Sequence, residues 1–206
     1  MWERQALIKL RLVAGDGSLG ADAEAVAESF AYGQGLDPKG IAEIHHLRTR
    51  MERELAREDL SQFNLKKGRG GIVDIEFLAQ MLQLSHGYRY PGARKRATLE
   101  ALRALTGHGI LKKGEHRLLS EGYLFLRRLD HRLRLERDQS MNILEREPEK
   151  LQRVAQALGY KLHDKQSPGD LLLRDYERWR ERIRSCYERC FETESEILFR
   201  GPTVLH

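Results

Sequence analysis

This sequence has few cysteines, few prolines and few aromatic residues. Its 206 residues include two cysteines and five prolines, and aromatic side chains make up 7% of the chain. The cysteines, Cys186 and Cys190, lie about one helical turn apart. We expect two reduced thiols in or near the core, because a metal site needs further ligands that the sequence does not identify. Such cysteine usage fits a cytoplasmic protein.

Long apolar runs are also missing. No stretch of about 18 apolar residues occurs, so we expect no transmembrane helix and no membrane association. Charges at Glu3, Arg4, Lys9 and Arg11 leave the N-terminal segment without the apolar core of a signal peptide.

Neither sign of charge dominates strongly. Lysine and arginine number 36 against 31 aspartate and glutamate residues, which gives a formal net charge of +5. An excess of this size supports contact with phosphates or acidic partners, but it does not require nucleic acid. Nucleic acid is therefore not expected as the main partner.

Apolar residues recur with helical spacing along almost the whole chain. The pattern predicts helices over residues 2–13, 21–32, 38–59, 71–86, 94–106, 113–138, 148–159 and from 169 onward. No segment alternates with period two for long enough to predict a strand, and 63–65 is only a weak candidate. We therefore predict an all-α fold, a multi-helix antiparallel bundle over residues 1–194, with a C-terminal tail over 195–206.

Positive charge and glycine are concentrated together at residues 66–71. The six residues are Lys66, Lys67, Gly68, Arg69, Gly70 and Gly71. Glycine lets the backbone adopt positive φ and approach a ligand closely. The N-terminus of the helix that follows favours anions. The segment, called the basic glycine loop below, suits a phosphate site or a joint beside one, and the alternative is a solvated basic turn.

Two common phosphate-binding motifs do not occur in this loop. A Walker A loop needs G-x-x-x-x-G-K-[ST], which is absent. The dinucleotide fingerprint needs a third glycine at a spacing that this loop does not have, and no predicted strand of sufficient length precedes it.

Two segments, taken in order and spacing, resemble the helical domain of the glutamine synthetase adenylyltransferase family. The first is Trp2-Glu3-Arg4-Gln5-Ala6-Leu7, followed by Gly15-Asp16. The second is Phe63-Asn64-Leu65-Lys66, then Gly70-Gly71-Ile72-Val73-Asp74-Ile75-Glu76-Phe77, then Gln80. A later match at Tyr123-Leu124-Phe125-Leu126-Arg127-Arg128-Leu129 extends the resemblance over roughly residues 1 to 192.

The resemblance implies a helical domain that follows a nucleotidyltransferase domain in a longer enzyme. That enzyme adenylylates and deadenylylates glutamine synthetase, uses ATP and Mg²⁺, and responds to a PII-type regulator. The nucleotidyltransferase domain carries a Gly-Ser turn followed by an Asp-x-Asp metal pair. Gly17-Ser18 of this sequence is followed by a segment that looks helical, and no Asp-x-Asp pair follows it. We therefore expect no catalytic residue and no metal or cofactor bound by this chain, which would be inactive alone.

Within this resemblance the basic glycine loop is the candidate site. Lys66, Lys67 and Arg69 are predicted to contact phosphates of ATP or of the adenylylated substrate at a domain interface. Gly68, Gly70 and Gly71 are predicted to shape the backbone.

Four further residues are predicted to support such a site. Asp74 falls in the first helical turn, where it either complements the helix dipole or orients a basic group or metal-bound water of the absent domain. Glu76 faces another side of the helix and is expected to be structural first. Glu3 and Gln5 open the first helix and are expected to reach toward the absent domain, whereas Trp2 is expected to anchor in a core or interface.

Two other functions stay open at this point. One is a free-standing helical module that binds an acidic protein or RNA through the basic helix at 113–138 and the basic glycine loop. The other is the helical domain of a related uridylyltransferase, since no base-reading residue is identifiable. The residues do not decide which half of an adenylyltransferase they represent.

Overall fold

The computed structural model describes residues 2–137 and 142–200, and within them the chain is all-α. Eight α-helices, one 3-10 turn and two three-residue strands make up the regular structure of these residues. The helices are α1 (Trp2–Leu7), α2 (Gly17–Tyr32), α3 (Pro38–Leu55), α4 (Ile72–His86), α5 (Thr98–Gly107), α6 (Lys113–Arg137), α7 (Pro148–Ala157) and α8 (Pro168–Arg200). The strands are β1 (Gln62–Asn64) and β2 (Ile143–Glu145). The predicted helical bundle is confirmed.

The N-terminal helices differ in length from their predicted bounds. α1 ends at Leu7 rather than residue 13. α2 begins at Gly17, earlier than predicted, because the Asp16 carboxylate caps it by accepting a hydrogen bond of 2.8 Å from the Leu19 backbone N–H. Residues 17–20, which lie outside the predicted helices, therefore belong to α2.

The prediction that the chain has no definite strand is wrong at one place. β1 pairs antiparallel with β2, with Phe63 opposite Leu144. β1 overlaps the candidate segment at 63–65, but β2 was not predicted, because three residues are too few to show alternation.

α3 also ends before its predicted limit, and Arg57 just beyond it has a positive φ of 51°.

The last helix, α8, extends beyond residue 194, where the helical domain was predicted to end. α8 continues to Arg200, into the segment predicted as a tail. The rest of that tail, residues 201–206, lies outside the described residues, as does Asp138 at the predicted end of the 113–138 helix. α5 begins at Thr98 rather than 94, after a 3-10 turn over Pro91–Ala93.

The chain divides into two compact units, with boundaries that fall within α3, α4, α6 and α8. The first unit comprises residues 1–48, 76–117 and 188–206, and the second comprises 49–75 and 118–187. The core of the first unit includes Ala31, Ile41, Ile44, Leu78, Leu82, Leu102 and Leu105. The core of the second includes Leu65, Ile72, Ile75, Leu126, Leu129, Leu144, Tyr176 and Ile183. Each unit therefore buries its own apolar helix faces.

Two expectations about single residues have clear outcomes. Cys186 and Cys190 form no disulfide and are buried, as expected. Trp2 is 63% exposed, so it is not a core residue.

None of the helices among the described residues combines the length and apolar character that crossing a membrane requires.

Candidate functional site

The basic glycine loop lies in the second unit, between β1 and α4, and Asn64 organises its first turn. The Asn64 side-chain oxygen accepts hydrogen bonds from the backbone N–H groups of Lys66 and Lys67, at 3.1 and 2.8 Å. Its amide nitrogen donates to the Ala56 carbonyl at 3.1 Å. Asparagine is well suited to such turns, because its short side chain replaces a backbone acceptor. Asn64 is thus a site residue to which the sequence analysis gave no role.

The three glycines are required by close approach of neighbouring backbone. Gly70 has a positive φ of 69°, and a Cβ there would overlap the backbone carbonyl oxygen of Arg180 on α8. A Cβ at Gly71 would lie 2.8 Å from the Leu65 carbonyl oxygen, and one at Gly68 would lie 2.5 Å from the Asn64 carbonyl oxygen. Gly71 and Gly68 do not have positive φ, so for them the constraint is space alone.

The backbone N–H groups of residues 66–68 and 70–74 donate hydrogen bonds within this segment, although the start of α4 was expected to favour an anion. Gly68 donates to Asn64, Gly71 to Gly68, Ile72 to Leu65, Val73 to Lys66 and Asp74 to Gly71, all at 2.9–3.1 Å. Gly70 donates to the Asp74 carboxylate at 2.8 Å. A phosphate at this loop would therefore be held by side chains rather than by a cradle of these N–H groups.

Asp74 is completely buried and ties the loop to α8. Its Oδ2 accepts the Gly70 hydrogen bond and lies 3.4 Å from Nη1 of Arg184. The same guanidinium nitrogen lies 2.9 Å from Oε2 of Glu52 on α3. Asp74 lies in the first turn of α4, as predicted, and its carboxylate accepts the hydrogen bond of a backbone N–H just before the helix. The basic group that it orients belongs to this chain, and sequence could not reveal it because Arg184 is 110 residues away.

A second ion pair and an aromatic ring hold α8 beside the loop. Arg180 pairs with Glu58 at 2.5 Å, with both side chains largely buried. Its guanidinium also lies over the Phe63 ring of β1, 4.8 Å from the centroid, and Arg146 lies over the same ring at 5.2 Å. The loop is thus fixed on a rigid base within the second unit.

The three loop cations are not equivalent. Arg69 pairs with Glu181 of α8 at 2.5 Å, and this hydrogen bond lowers the pKa of the Glu181 carboxyl. In the part of the chain that the structure describes, no salt bridge joins Lys66 or Lys67 to an acidic side chain. Both side chains are partly exposed. Lys66 and Lys67 are therefore the loop charges available to an anion.

The other predicted support residues lie in the first unit. Gln5 of α1 is buried and donates a hydrogen bond of 2.7 Å to the side-chain oxygen of Gln80 on α4. Glu76 lies 3.6 Å from the ammonium group of Lys9, and Glu3 is exposed. Within this unit the two sequence segments that carry the family resemblance therefore meet through α1 and α4.

A family model and curated relatives match this chain over most of its length. The family model described as GlnD PII-uridylyltransferase matches residues 42–191. A bifunctional glutamine synthetase adenylyltransferase/adenylyl-removing enzyme of Rhodopseudomonas palustris (strain TIE-1) is 34% identical over 98% of this chain and 20% of its own length.

Two relatives with the same name are more similar over a shorter stretch. That of Stenotrophomonas maltophilia (strain K279a) is 39% identical and that of Xanthomonas axonopodis pv. citri (strain 306) is 40% identical, each over 77% of this chain and 17% of the relative. The chain thus spans about a fifth of the length of these curated relatives. It belongs to the family that the GlnD PII-uridylyltransferase model describes, and it is similar to one part of the bifunctional glutamine synthetase adenylyltransferases.

Proposed function

We propose that this chain is a helical accessory domain of a cytoplasmic enzyme that adenylylates or deadenylylates glutamine synthetase and thereby controls nitrogen assimilation. The proposal rests on the relatives, whose names give both activities. The chain acts beside a nucleotidyltransferase domain of the same polypeptide, and a PII-type regulator and glutamine synthetase are the protein partners.

The observation that gives this domain a chemical role is the pair of lysines on a fixed loop. Lys66 and Lys67 extend from a turn that Asn64, Asp74 and the buried arginines hold in place. Holding such charges in advance reduces the cost of ordering them when a phosphate arrives. In the proposed enzyme they contact phosphate oxygens of ATP or of the adenylylated tyrosine, and the transfer chemistry belongs to the nucleotidyltransferase domain.

The residues of this loop fit a phosphate but not a magnesium ion. Mg²⁺ needs available oxygen ligands such as carboxylates. The carboxylates around the loop are already bonded: Asp74 by the Gly70 N–H and the Arg184 guanidinium, Glu58 by Arg180, and Glu181 by Arg69. Mg²⁺ required by the enzyme would therefore be held by the nucleotidyltransferase domain, and the isolated chain would have no transferase activity.

A calorimetric titration with Mg-ATP tests whether the loop completes a shared site. The titration is done on this chain alone, on the nucleotidyltransferase domain of the Rhodopseudomonas palustris relative, and on the two together. We expect no binding to the chain alone, and tighter binding to the pair than to the nucleotidyltransferase domain. Equal binding by the domain and by a demonstrated complex would contradict a shared site.

The family model raises a second candidate, a domain of a PII-uridylyltransferase. Its description names that activity for the matched region, whereas the curated relatives reported above are adenylyltransferases. Repeating the titration with Mg-UTP and the nucleotidyltransferase domain of a PII-uridylyltransferase separates the two. If this chain tightens UTP binding by that domain and does not tighten ATP binding by the adenylyltransferase domain, the uridylyltransferase is favoured.

A further inference from the structure

A cavity of about 320 Å³ lies in the second unit, and no residue of the basic glycine loop lines it. Phe125 and Arg128 of α6 form one wall, Leu158, Gly159 and Tyr160 after α7 form another, and Asp175 of α8 completes it. Pockets for small molecules measure about 300–1,000 Å³. The cavity therefore suits a ligand at the small end of that range.

The apolar part of the cavity offers a surface for a planar ring. Phe125 is held from behind by Trp179, whose ring is stacked on it with centroids 6.2 Å apart. Gly159 has a positive φ of 91°, and a Cβ there would meet nothing within 4 Å, so bare backbone faces open space. A flat aromatic group can lie against Phe125 and Leu158 without moving a side chain.

The polar part of the cavity offers hydrogen-bond acceptors. The Tyr160 hydroxyl donates to Oδ2 of Asp175 at 3.0 Å. Burial, with the neighbouring Asp175 charge, raises the pKa of Tyr160 to about 12, so the phenol stays protonated near neutral pH. Oδ1 of Asp175 lies 3.2 Å from Arg178. Both the phenol oxygen and the carboxylate retain lone pairs for amino or hydroxyl groups of a ligand.

Arg128 supplies the cation of the cavity, across from the Asp175 carboxylate that lines it as well. Its neighbours Arg127 and Arg134 both lie within ion-pair distance of the buried Asp130, at 3.9 and 3.1 Å. Among the residues for which the structure gives contacts, Arg128 has no such acidic partner, and its side chain is exposed. A planar guanidinium with several donors matches a phosphate group.

We propose that this cavity binds a nucleoside monophosphate. The base lies against Phe125, the phosphate contacts Arg128, and amino or ribose hydroxyl groups donate to Tyr160 and Asp175. The site uses none of the residues of the basic glycine loop, so it stands or falls independently of the proposed function.

Calorimetric titration of this 206-residue chain with AMP tests the proposal, with adenosine and inorganic phosphate as comparison ligands. Tryptophan fluorescence then locates the site. The chain has two tryptophans, and W2F removes the exposed one and leaves Trp179 behind Phe125 as the reporter. We expect saturable binding of AMP with a change in Trp179 emission, and weaker binding of adenosine or phosphate.

The variant R128Q tests the phosphate contact, and R117Q is its control. Arg117 is an exposed arginine of the same helix that does not line the cavity. We expect AMP affinity to fall about tenfold in R128Q and to be unchanged in R117Q. No heat and no emission change with AMP would overturn the proposal. Equal affinity of R128Q and R117Q, or inorganic phosphate binding as tightly as AMP, would also overturn it.

Discussion

At the scale of single residues, the most constrained position is Gly70. It alone in the basic glycine loop has a positive φ, and the carbonyl of Arg180 occupies the space that a Cβ would need. A residue other than glycine at positive φ costs on the order of 1–3 kcal/mol before any steric clash is added.

The variant G70A should therefore lower the free energy of unfolding by at least about 2 kcal/mol, measured by denaturant titration. G114A in the first turn of α6 is the control, because a Cβ there meets nothing and φ is not positive. It should be neutral or slightly stabilising. Equal stability of the two variants would show that the loop does not need glycine at this position.

Ion pairs of the loop should contribute differently to the free energy of unfolding, according to how deeply each pair is buried. Asp74 and Arg184 are 0% and 9% exposed, whereas Glu181, the partner of Arg69, is 64% exposed. D74N should lower the free energy of unfolding by about 3 kcal/mol, because it leaves a buried guanidinium with one carboxylate fewer.

The matched control E181Q should lower the free energy of unfolding by less than about 1 kcal/mol, because the exposed pair is screened by water. If thermal or chemical unfolding gave the same loss for both variants, the buried pair would not be the anchor of the loop.

Alkaline pH should weaken the fold through its buried tyrosines. The pKa of Tyr160 is raised from 10 to about 12, mainly by burial. A raised pKa means that the folded state holds the proton more tightly. The stabilisation is therefore complete below pH 10 and is lost as pH rises toward 12.

The variant Y160F should remove about 1 kcal/mol of this pH dependence between pH 10 and 12, after allowing for the partial exposure of Tyr160. Urea unfolding at several pH values measures it, and Y88F, which removes an exposed phenol, is the control. An unchanged slope in Y160F would contradict the burial account. The pKa of Tyr32 is also raised to about 12, so Tyr32 should still contribute to the pH dependence of stability in the Y160F variant.

At the scale of elements, periodicity predicted helices such as α3 and α6 because each buries an apolar stripe, whereas α4 is buried on nearly every side. The same signal could not give their ends: α2 starts at a side-chain cap on Asp16, and α3 stops before a positive-φ residue, Arg57. The pairing of Phe63 with Leu144 joins residues far apart in sequence and leaves no local pattern. The basic glycine loop itself could be predicted from the sequence. The contacts that Arg180 and Arg184 of α8 make beside it could not, because those residues are far away in the chain.

α6 offers a direct test of how burial rather than composition stabilises a helix. Leu126 is completely buried and Leu124, on the other side of the same helix, is 50% exposed. L126A should lower the free energy of unfolding by about 2–5 kcal/mol, and L124A should cost under about 1 kcal/mol. Equal losses in thermal unfolding would mean that the assigned core face of α6 is wrong.

At the scale of the whole molecule, the basic glycine loop is a small part of the fold and lies within its second unit. The concentration of glycine and positive charge predicted a site in the basic glycine loop, and a family resemblance gave that site an expected function. The comparisons confirm the family. Lys66 and Lys67 are the loop cations available to an anion, because Arg69 is paired with Glu181 and the N–H groups of residues 66–68, 70 and 71 are bonded within the loop. That distinction among the loop cations needed the acids of distant segments and could not come from sequence.

The most direct measurement is the rate of AMP transfer to glutamine synthetase by a chimera. In it this chain replaces the matching segment of the Rhodopseudomonas palustris relative, which aligns with 98% of the chain. The variant K66A/K67A is compared with K112A/K113A, an exposed lysine pair at the start of α6. We predict an active chimera, a loss of about tenfold or more in K66A/K67A, and no loss in the control. A folded chimera that is inactive, or one in which K66A/K67A keeps full activity, would contradict the account.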